Sequence, residues 1–196
     1  MTDLSMAVLE VIRSRRSVRS FRQDKIPAEH LERILDAARY APNAGNEQPW
    51  RFLVVRERAN IDRLRPVLEN WVRRRVEAMQ LDPDVRDRRL AEMLTQLGDV
   101  IAAPILVFIF VDTTKYPTLA AYDGALAAGN LMLAARSFGY GSSFQTSFFP
   151  KGVVREHFGV HKEYRLICAV PLGRPKEWPP APPRKSLNEL VAYEHM

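Results

Sequence analysis

The pattern of apolar and polar positions predicts a chain of helices interspersed with strands. Near the N-terminus, apolar residues recur at helical spacing, which predicts a helix that buries one stripe. A second helix is predicted from Pro27, which suits a first helical turn, to about Tyr40, because Pro42 cannot continue the hydrogen-bond ladder. The N-terminal stripe consists of Leu4, Val8, Val11 and Ile12. Further helices are predicted at about 58–80, 84–102, 119–138 and 150–158.

Strands are predicted where apolar residues alternate with others or form short runs. The alternation over Trp50–Val55 follows Pro49, which marks the edge of a strand. The longest apolar run, Ile101–Val111, contains Pro104 and is shorter than the roughly 20 residues of a membrane-spanning helix. Its part from 105 to 111 is therefore predicted to be a core strand, and no membrane partner is expected. Further strands are predicted at 140–145 and 164–172.

The helix predicted at 119–138 is unusually rich in small residues. It contains seven alanines together with Gly124 and Gly129, so that neighbouring backbones can approach closely, and Gly139 suits its C-terminal cap. Such a helix fits the core of a monomer or the centre of a homodimer interface, and we favour the homodimer. Asp123 and Asn130 lie on this helix and are expected to form internal hydrogen bonds rather than to act in catalysis.

Composition fits one domain with one core. The chain has 196 residues, of which 46% are hydrophobic, so a single α+β domain over residues 1–196 is predicted. The single cysteine excludes an intramolecular disulfide, and the N-terminus is too polar for a secretory signal. A cytoplasmic location is therefore expected.

The net charge of +6 raises the question of nucleic-acid binding, but the distribution of charge argues against it. Ten arginines between Arg56 and Arg89 are interleaved with seven acidic residues, as on a solvated helical face. A second cluster differs, because residues 13–22 contain five arginines and no acidic residue. A helix C-terminus explains some of these cations, but Ser17 among forked guanidinium groups also suits a phosphate ester.

Other chemistries have weak support in the sequence. The histidines at positions 30, 157, 161 and 195 show no metal-ligand spacing, so no metal site is expected. Neither a GxxxxGK[ST] loop nor a GxGxxG motif after a strand is present, so a nicotinamide donor would have no binding domain of its own. Cys168 lies in the apolar segment "LICAV" and is interpreted as a buried core thiol.

Four motifs in order along the chain resemble the flavin-dependent nitroreductase family: "RRSVRSF", "APNAGNEQPWRFLVV", "AAGNLMLAARSFGYGSS" and "VPLGRP". The resemblance implies a nitroreductase-like α+β fold, with a central mixed or antiparallel sheet flanked by helices. It also implies an intertwined homodimer with FMN at the subunit interface and NADH or NADPH as electron donor. The proline-rich C-terminal arm, about residues 174–196, would be exchanged between subunits.

The resemblance also assigns site residues, although no residue is assigned to catalysis because the flavin does the chemistry. Arg19 would face the pyrimidine edge of the ring, where a fixed cation stabilises the reduced flavin. The backbone amides of Thr146 and Ser147, and less firmly of Gln145, would face the ring position that takes up hydride. The phosphate and ribityl end would be held by Arg15, Arg16 and Ser17. From the arm, Arg184 would reach the phosphate, with Lys185 as the alternative.

The loop after the second helix would complete the flavin pocket through its side-chain amides. Asn and Gln offer donors and acceptors without charge, as the ribityl chain and pyrimidine edge require. The residues carried over are Pro42, Asn43, Ala44, Asn46 and Gln48. Two simpler interpretations stay open: a plain loop whose asparagines satisfy local turns, and a disordered C-terminal tail.

Two classes of function follow from the resemblance. The first is an FMN oxidoreductase that takes hydride from NADH or NADPH and then, in an alternating mechanism, reduces a nitroaromatic, a quinone or a similar acceptor. The second is a flavin-binding protein with another role, such as reductive dehalogenation, enone reduction, flavin destruction, or flavin storage or sensing.

Overall fold

The computed structural model describes residues 3–195, with side chains from Ala7 onward. Within that range the chain forms six helices and four strands. The helices are α1 Asp3–Ser14, α2 Ala28–Ala38, α3 Arg58–Glu77, α4 Pro83–Ile101, α5 Leu119–Ser137 and α6 Lys151–His157. The strands are β1 Trp50–Val55, β2 Ile105–Asp112, β3 Gly141–Ser142 and β4 Tyr164–Gly173.

The four strands form one antiparallel sheet in the order β1-β2-β4-β3, which confirms the α+β prediction. Helices cover both faces of this sheet. On one face α3, α4 and α6 contribute Leu64, Leu97 and Val154 to a core with alternate residues of β2. On the other face α2 and α5 pack against the remaining residues of β2 and β4. Because β2 is buried on both faces, its sequence "ILVFIFV" shows no polar alternation.

A β-bulge in β4 and a glycine in α5 fit one another. The pairing of β2 with β4 shifts between Ile109 and Phe110, where Ile167 has no partner in β2. Ile167 and Cys168 consequently both belong to the core on the α5 side. A Cβ atom at Gly124 would lie 2.7 Å from Ile167 Cγ1, so only glycine lets the helix approach this closely.

Three local predictions need correction. The strand expected at 140–145 is only two residues long, since Gly141 and Ser142 pair with β4 and Gln145 forms an isolated bridge with Ala169. Pro27 is the N-cap of α2 rather than a residue of its first turn. In this single chain, the stripe on α1 is not buried: Val8 and Ile12 are 51% and 50% exposed. The side chain of Leu4 lies outside the described part.

The C-terminal arm begins against its own chain and then extends along the surface. The Arg22 N–H donates to the Arg174 carbonyl and the Lys176 N–H donates to Ser20, at 2.8 and 3.1 Å. The Arg136 guanidinium stacks over the Trp178 ring at 4.1 Å. Residues 180–195 are exposed throughout, and they include the 3-10 turn Leu187–Glu189 with a capping box between Ser186 and Glu189. The proline-rich part forms no helix, as the sequence predicts.

Candidate functional site

The end of α1 and the C-terminal arm together line a basic cavity. Its volume is about 500 Å³, and it contains Arg13 and Arg15 from α1 and the following turn, and Arg184 from the arm. Its apolar wall comes from Ile12, Gly129, Met132 and Leu133. None of these lining residues is acidic. We call it the phosphate cavity, because the family resemblance predicts that Arg15 and Arg184 hold a phosphate.

The guanidinium groups in and near this cavity repel one another. Burial lowers the pKa of Arg15 from its usual value, and the neighbouring charges of Arg184 and Arg16 lower it further. An anion bound here would remove this repulsion and form charged hydrogen bonds with the forked groups. Arg16 has a different local role, because its Nη1 donates to the carbonyls of Arg13 and Arg15 at 2.7 and 2.9 Å. It therefore caps the end of α1.

The residues after α1 connect the phosphate cavity to the edge of the sheet. Ser17 forms a parallel bridge with Ser142 of β3, and the Val18 N–H donates to the Ser142 carbonyl at 3.0 Å. Val18 is fully buried, whereas Arg19 is exposed and points its Nη1 toward the Ser17 carbonyl, 3.3 Å away. Arg19 lines a second cavity, together with Gln145 and Ser147.

The segment that follows β3 presents unpaired backbone donors. The Gln145 N–H and carbonyl both pair with Ala169 at 2.9 Å, and its side chain donates to Ser143 Oγ. Gln145 is therefore engaged within the fold. In contrast, the N–H groups of Thr146 and Ser147 donate to no acceptor within the described residues. These two N–H groups remain available to a ligand.

The amide-rich loop at 42–48 is held in an unusual backbone conformation. Gly45, Asn46 and Gln48 all have positive φ angles, of 59°, 53° and 48°. Asn43 Oδ1 accepts from the Gln48 N–H at 2.8 Å, so this amide satisfies a local turn as the simpler interpretation expects. The Ala44 N–H donates to the buried carboxylate of Asp123 in α5.

The structure places the assigned residues in separate groups. Arg15 and Arg184 share the phosphate cavity, beside Gly129 in the C-terminal half of α5. The loop lies against Asp123, in the N-terminal half of the same helix, and its Gln48 lines another small cavity. Lys185 is exposed and lines no described cavity with the arginines. One chain alone therefore does not join the loop to the arginines.

The polar residues of α5 have the internal roles that the sequence predicts. Asp123 is 5% exposed and accepts the Ala44 N–H, while the Asn130 amide donates to the Ala37 carbonyl at 3.3 Å. Gly139, with a φ of 76°, follows the end of the helix as expected. Burial raises the pKa of the Cys168 thiol, which is consistent with an unreactive core residue.

The sequence profile of the nitroreductase family matches residues 12–174. The chain belongs to the nitroreductase family. The 5,6-dimethylbenzimidazole synthase of Rhodospirillum rubrum is 30% identical over 184 residues, which cover 89% of this chain and 84% of that protein. The predicted family and fold are thereby confirmed, although the names of its relatives cover several reactions.

Solved structures of this nitroreductase fold cover nearly the whole chain. An iodotyrosine deiodinase bound to FMN and 3-iodo-L-tyrosine superposes with a TM-score of 0.80, at 26% identity, over 96% of this chain and 99% of that one. The FMN-dependent nitroreductase NfnB from Mycobacterium smegmatis, in complex with NADPH, gives a TM-score of 0.77 at 25% identity, over 98% of this chain and 100% of that one.

The residues of this family member fit a flavin that carries a phosphate. The phosphate cavity offers unneutralised guanidinium groups, and Thr146 and Ser147 offer unpaired N–H donors. Over residues 3–195, no group of three or more histidine, cysteine, aspartate or glutamate side chains could hold a metal ion. The helices described here are all too short or too polar to cross a membrane.

Sequence reasoning missed three arginines of these cavities. Arg13 belongs to the acid-free cluster at residues 13–22, but the resemblance assigns it no site role, and in the structure it lines the phosphate cavity. Arg75 and Arg89 line the cavity of Arg19, although both were included in the solvated, acid-interleaved helical face. For Arg75 the sequence holds a signal, since no acidic residue lies three or four positions away to pair with it.

Proposed function

We propose that this protein is an FMN-dependent oxidoreductase that takes electrons from NADH or NADPH and passes them to an electron-poor acceptor such as a nitroaromatic or a quinone. The observation that carries the proposal is the phosphate cavity: Arg15 and Arg184, 169 positions apart, meet in one acid-free cavity. Such a convergence of unpaired cations is typical of an anion site. Family membership and the FMN named for similar structures support FMN as the anion.

Each group of residues has a distinct task toward the cofactor. When bound, FMN supplies the hydride chemistry, accepting two electrons from the nicotinamide and returning them to the acceptor. Arg15, Arg184 and Arg13 hold the phosphate. Arg19 provides a fixed positive charge near the pyrimidine edge, where negative charge develops. The N–H groups of Thr146 and Ser147 donate hydrogen bonds and orient the ring.

The arrangement along α5 supports a homodimer with shared sites. The phosphate cavity lies at Gly129 and Met132, whereas the loop at 42–48 lies at Asp123, about two turns away on the same helix. A two-fold axis that packs α5 against its copy in antiparallel orientation would bring the loop of one subunit toward the arginines of the other. The exposed Tyr122 and Leu126 of α5, with Val8 and Ile12 of α1, give this interface its apolar surface.

The C-terminal arm has a different position from the one that the family resemblance implies. Arg184 already lies beside Arg15 of its own chain, so arm exchange is not needed to bring it to the phosphate. Exchange of the last residues stays a prediction, and the exposed Leu187, Leu190 and Tyr193 suit a partner surface. Deletion of residues 176–196 should therefore weaken FMN retention and loosen the dimer, whereas a disordered tail would have no effect.

The experiment that tests the function is anaerobic stopped-flow reduction of the purified, FMN-loaded protein by NADH and by NADPH. Rapid bleaching of the flavin absorbance, followed by reoxidation with a nitroaromatic or a quinone, is expected. Acceptors should also include 3-iodotyrosine, because the alternative roles include reductive dehalogenation. Failure to retain FMN, or flavin that neither nucleotide reduces, would contradict the proposal. Sedimentation as a flavin-loaded monomer at micromolar concentration would contradict the shared site.

A further inference from the structure

The carboxylate of Asp123 is buried in α5 without a counter-ion. The other buried residues of this helix are alanines, one glycine and one leucine. Asp123 is 5% exposed, and none of the ion pairs among the described residues includes it. Burial of an unpaired carboxylate is costly, because water no longer solvates the charge. The hydrogen bonds that this carboxylate accepts therefore indicate its role.

Both oxygens of this carboxylate face one donor in the loop at 42–48. The Ala44 nitrogen lies 3.3 Å from Asp123 Oδ1 and 3.4 Å from Oδ2. Ala44 is the first residue of the 3-10 turn Ala44–Asn46. An asparagine at position 123 would offer a single uncharged oxygen, so the carboxylate is the stronger acceptor for this donor. Asp123 therefore attaches the loop to a central helix of the fold.

The loop needs such an attachment, because its own chain leaves most of it uncovered. Residues 45–48 are exposed, and two non-glycine residues among them have positive φ angles, which are unfavourable for L side chains. Lys115 Nζ lies 2.5 Å from Glu47 Oε2, but the lysine is exposed, and exposed ion pairs contribute little. The hydrogen bond to Asp123 is a buried anchor at the start of this exposed turn.

We propose that Asp123 is a positioning residue, which fixes the loop at 42–48 and thereby acts on the flavin whose phosphate the other subunit holds. This inference rests on the proposed function, in which the loop of one subunit lies toward the phosphate cavity of the other. In that arrangement the anchored loop and the phosphate cavity of one flavin site belong to different chains. A change at Asp123 therefore affects the site of the partner subunit and not that of its own.

The first test measures FMN dissociation when the loaded protein is diluted, followed by the fluorescence of the released flavin. Asp123→Asn keeps the size of the side chain but removes its charge and one acceptor oxygen, so FMN affinity should fall by about tenfold. Asp112→Asn is the matched control, because Asp112 accepts from the Thr114 N–H and hydroxyl, at 2.8 and 2.7 Å, and not from the loop. Its FMN affinity should be unchanged. Equal affinities of the two variants would overturn the inference.

A variant of the loop tests the same hydrogen bond without a change in α5. Proline is tolerated at the first position of a helical turn, and Asn43 before it is extended, with a φ of −152° and a ψ of 155°. Ala44→Pro removes the N–H donor and should also weaken FMN binding by about tenfold. In Ala44→Pro/Asp123→Asn the two losses should not multiply, because each change removes the same contact. Losses that multiply would show that Asp123 does not act through the loop and would overturn the inference.

A heterodimer distinguishes action on the partner's flavin from action within one subunit. It pairs an Arg15→Ala subunit with an Asp123→Asn subunit, and two different affinity tags allow its purification. If Asp123 acts on the partner's flavin, one site carries both changes and the other carries neither, so half of the sites should retain FMN as the wild type does. If Asp123 acts within its own subunit, each site carries one change. The absence of any site with wild-type retention would overturn the inference.

These measurements follow FMN retention, so they separate the inference from the proposed reaction. Wild-type retention at half of the heterodimer sites, in a protein whose flavin neither NADH nor NADPH reduces, would support the inference and contradict the proposed function. Normal flavin reduction, with no site of wild-type retention in the heterodimer, would overturn the inference and leave the proposed reaction intact. A wild-type protein that is monomeric when loaded with FMN would overturn both the inference and the shared site.

Discussion

Two regions of this protein are rich in arginine, and they differ in how the arginines are paired. Between residues 56 and 89, Arg58 and Arg65 pair with acidic residues one turn along the same helix. Between residues 13 and 22, by contrast, Arg15 faces other arginines, and burial with their repulsion lowers its pKa. The first region has ten arginines and seven acidic residues, whereas the second has five arginines and no acidic residue. Unpaired cations, rather than abundant ones, mark a site for an anion.

The largest expected effect comes from Arg15→Ala. Loss of a charged hydrogen bond to the phosphate, worth about 1.5–3 kcal/mol, should weaken FMN binding by tens-fold while leaving the apoprotein folded. Fluorescence titration of the apoprotein with FMN measures this change, and Ser17→Ala should show a smaller loss. Arg86→Ala, which removes an arginine paired with Asp87, is the control and should leave FMN affinity unchanged. Equal affinities of the Arg15 and Arg86 variants would break the contrast between the two regions.

A second effect distinguishes the two basic residues of the arm. Arg184→Ala should weaken FMN binding by about tenfold, because Arg184 lines the phosphate cavity and its charge acts on Arg15. Lys185→Ala is the matched control, since this side chain is exposed and outside the cavity, and it should change the affinity by less than about twofold. The same FMN titration measures both. A larger loss at Lys185 would show that the arm adopts another register in the holoprotein.

Arg19→Gln should change reactivity more than affinity. If Arg19 faces the pyrimidine edge, its charge stabilises the reduced flavin most, so the reduction potential should fall and hydride uptake should slow several-fold. FMN affinity should fall by less than about threefold, because the phosphate contacts persist. Redox titration against a reference dye and stopped-flow reduction measure these quantities. Arg22→Gln, at an arginine already paired with Asp24, is the control. An unaltered reduction potential in the Arg19→Gln variant would show that Arg19 does not face the pyrimidine edge and is simply a surface cation.

The smallest effect is expected where charge is already compensated. Glu69→Gln breaks the ion pair with Arg65, whose closest N–O distance is 3.9 Å between partly exposed side chains. The free energy of unfolding should fall by less than about 0.5 kcal/mol, and FMN affinity should not change. Urea unfolding followed by circular dichroism tests this. A loss above about 1 kcal/mol would mean that the paired region has a structural role that its exposure does not suggest.

The sequence predicts that one arginine-rich region is interleaved with acids and the other is not, but it does not predict every arginine that lines a cavity. The interleaving of acids with Arg58 and Arg65 is visible as helical spacing, and the ion pairs confirm it. Helical spacing says nothing about contacts between elements distant in sequence. The approach of Arg75 to Ser147 depends on how α3 packs, so no local pattern could reveal it, and the meeting of Arg184 with Arg15 is expected only from the family resemblance.

The sequence predicts the helices and the long strands to within a few residues, because the apolar residues of each recur with a clear period. The strand at 140–145 was predicted too long for a physical reason. Gly141 and Ser142 pair with β4 as a short ladder, and beyond them only Gln145 pairs with it again, in an isolated bridge after the exposed Phe144. Alternation of side chains identifies an extended segment, but it does not show how many of its residues pair with a neighbouring strand. Likewise, helical spacing predicts an apolar stripe on α1 but not what covers it, and Val8 and Ile12 are exposed in this single chain.

The bulge at Ile167 and the missing side chain at Gly124 have an evolutionary consequence. A larger residue at 124 would collide with Ile167 and Val111, so a change at either position selects for a change at the other. Deleting residue 167 would restore a regular ladder and remove one of these two collisions, while a smaller residue at position 111 would remove the other. Relatives that carry a bulkier residue at the position of Gly124 should therefore have lost the extra residue in β4 and carry a smaller residue than valine at position 111.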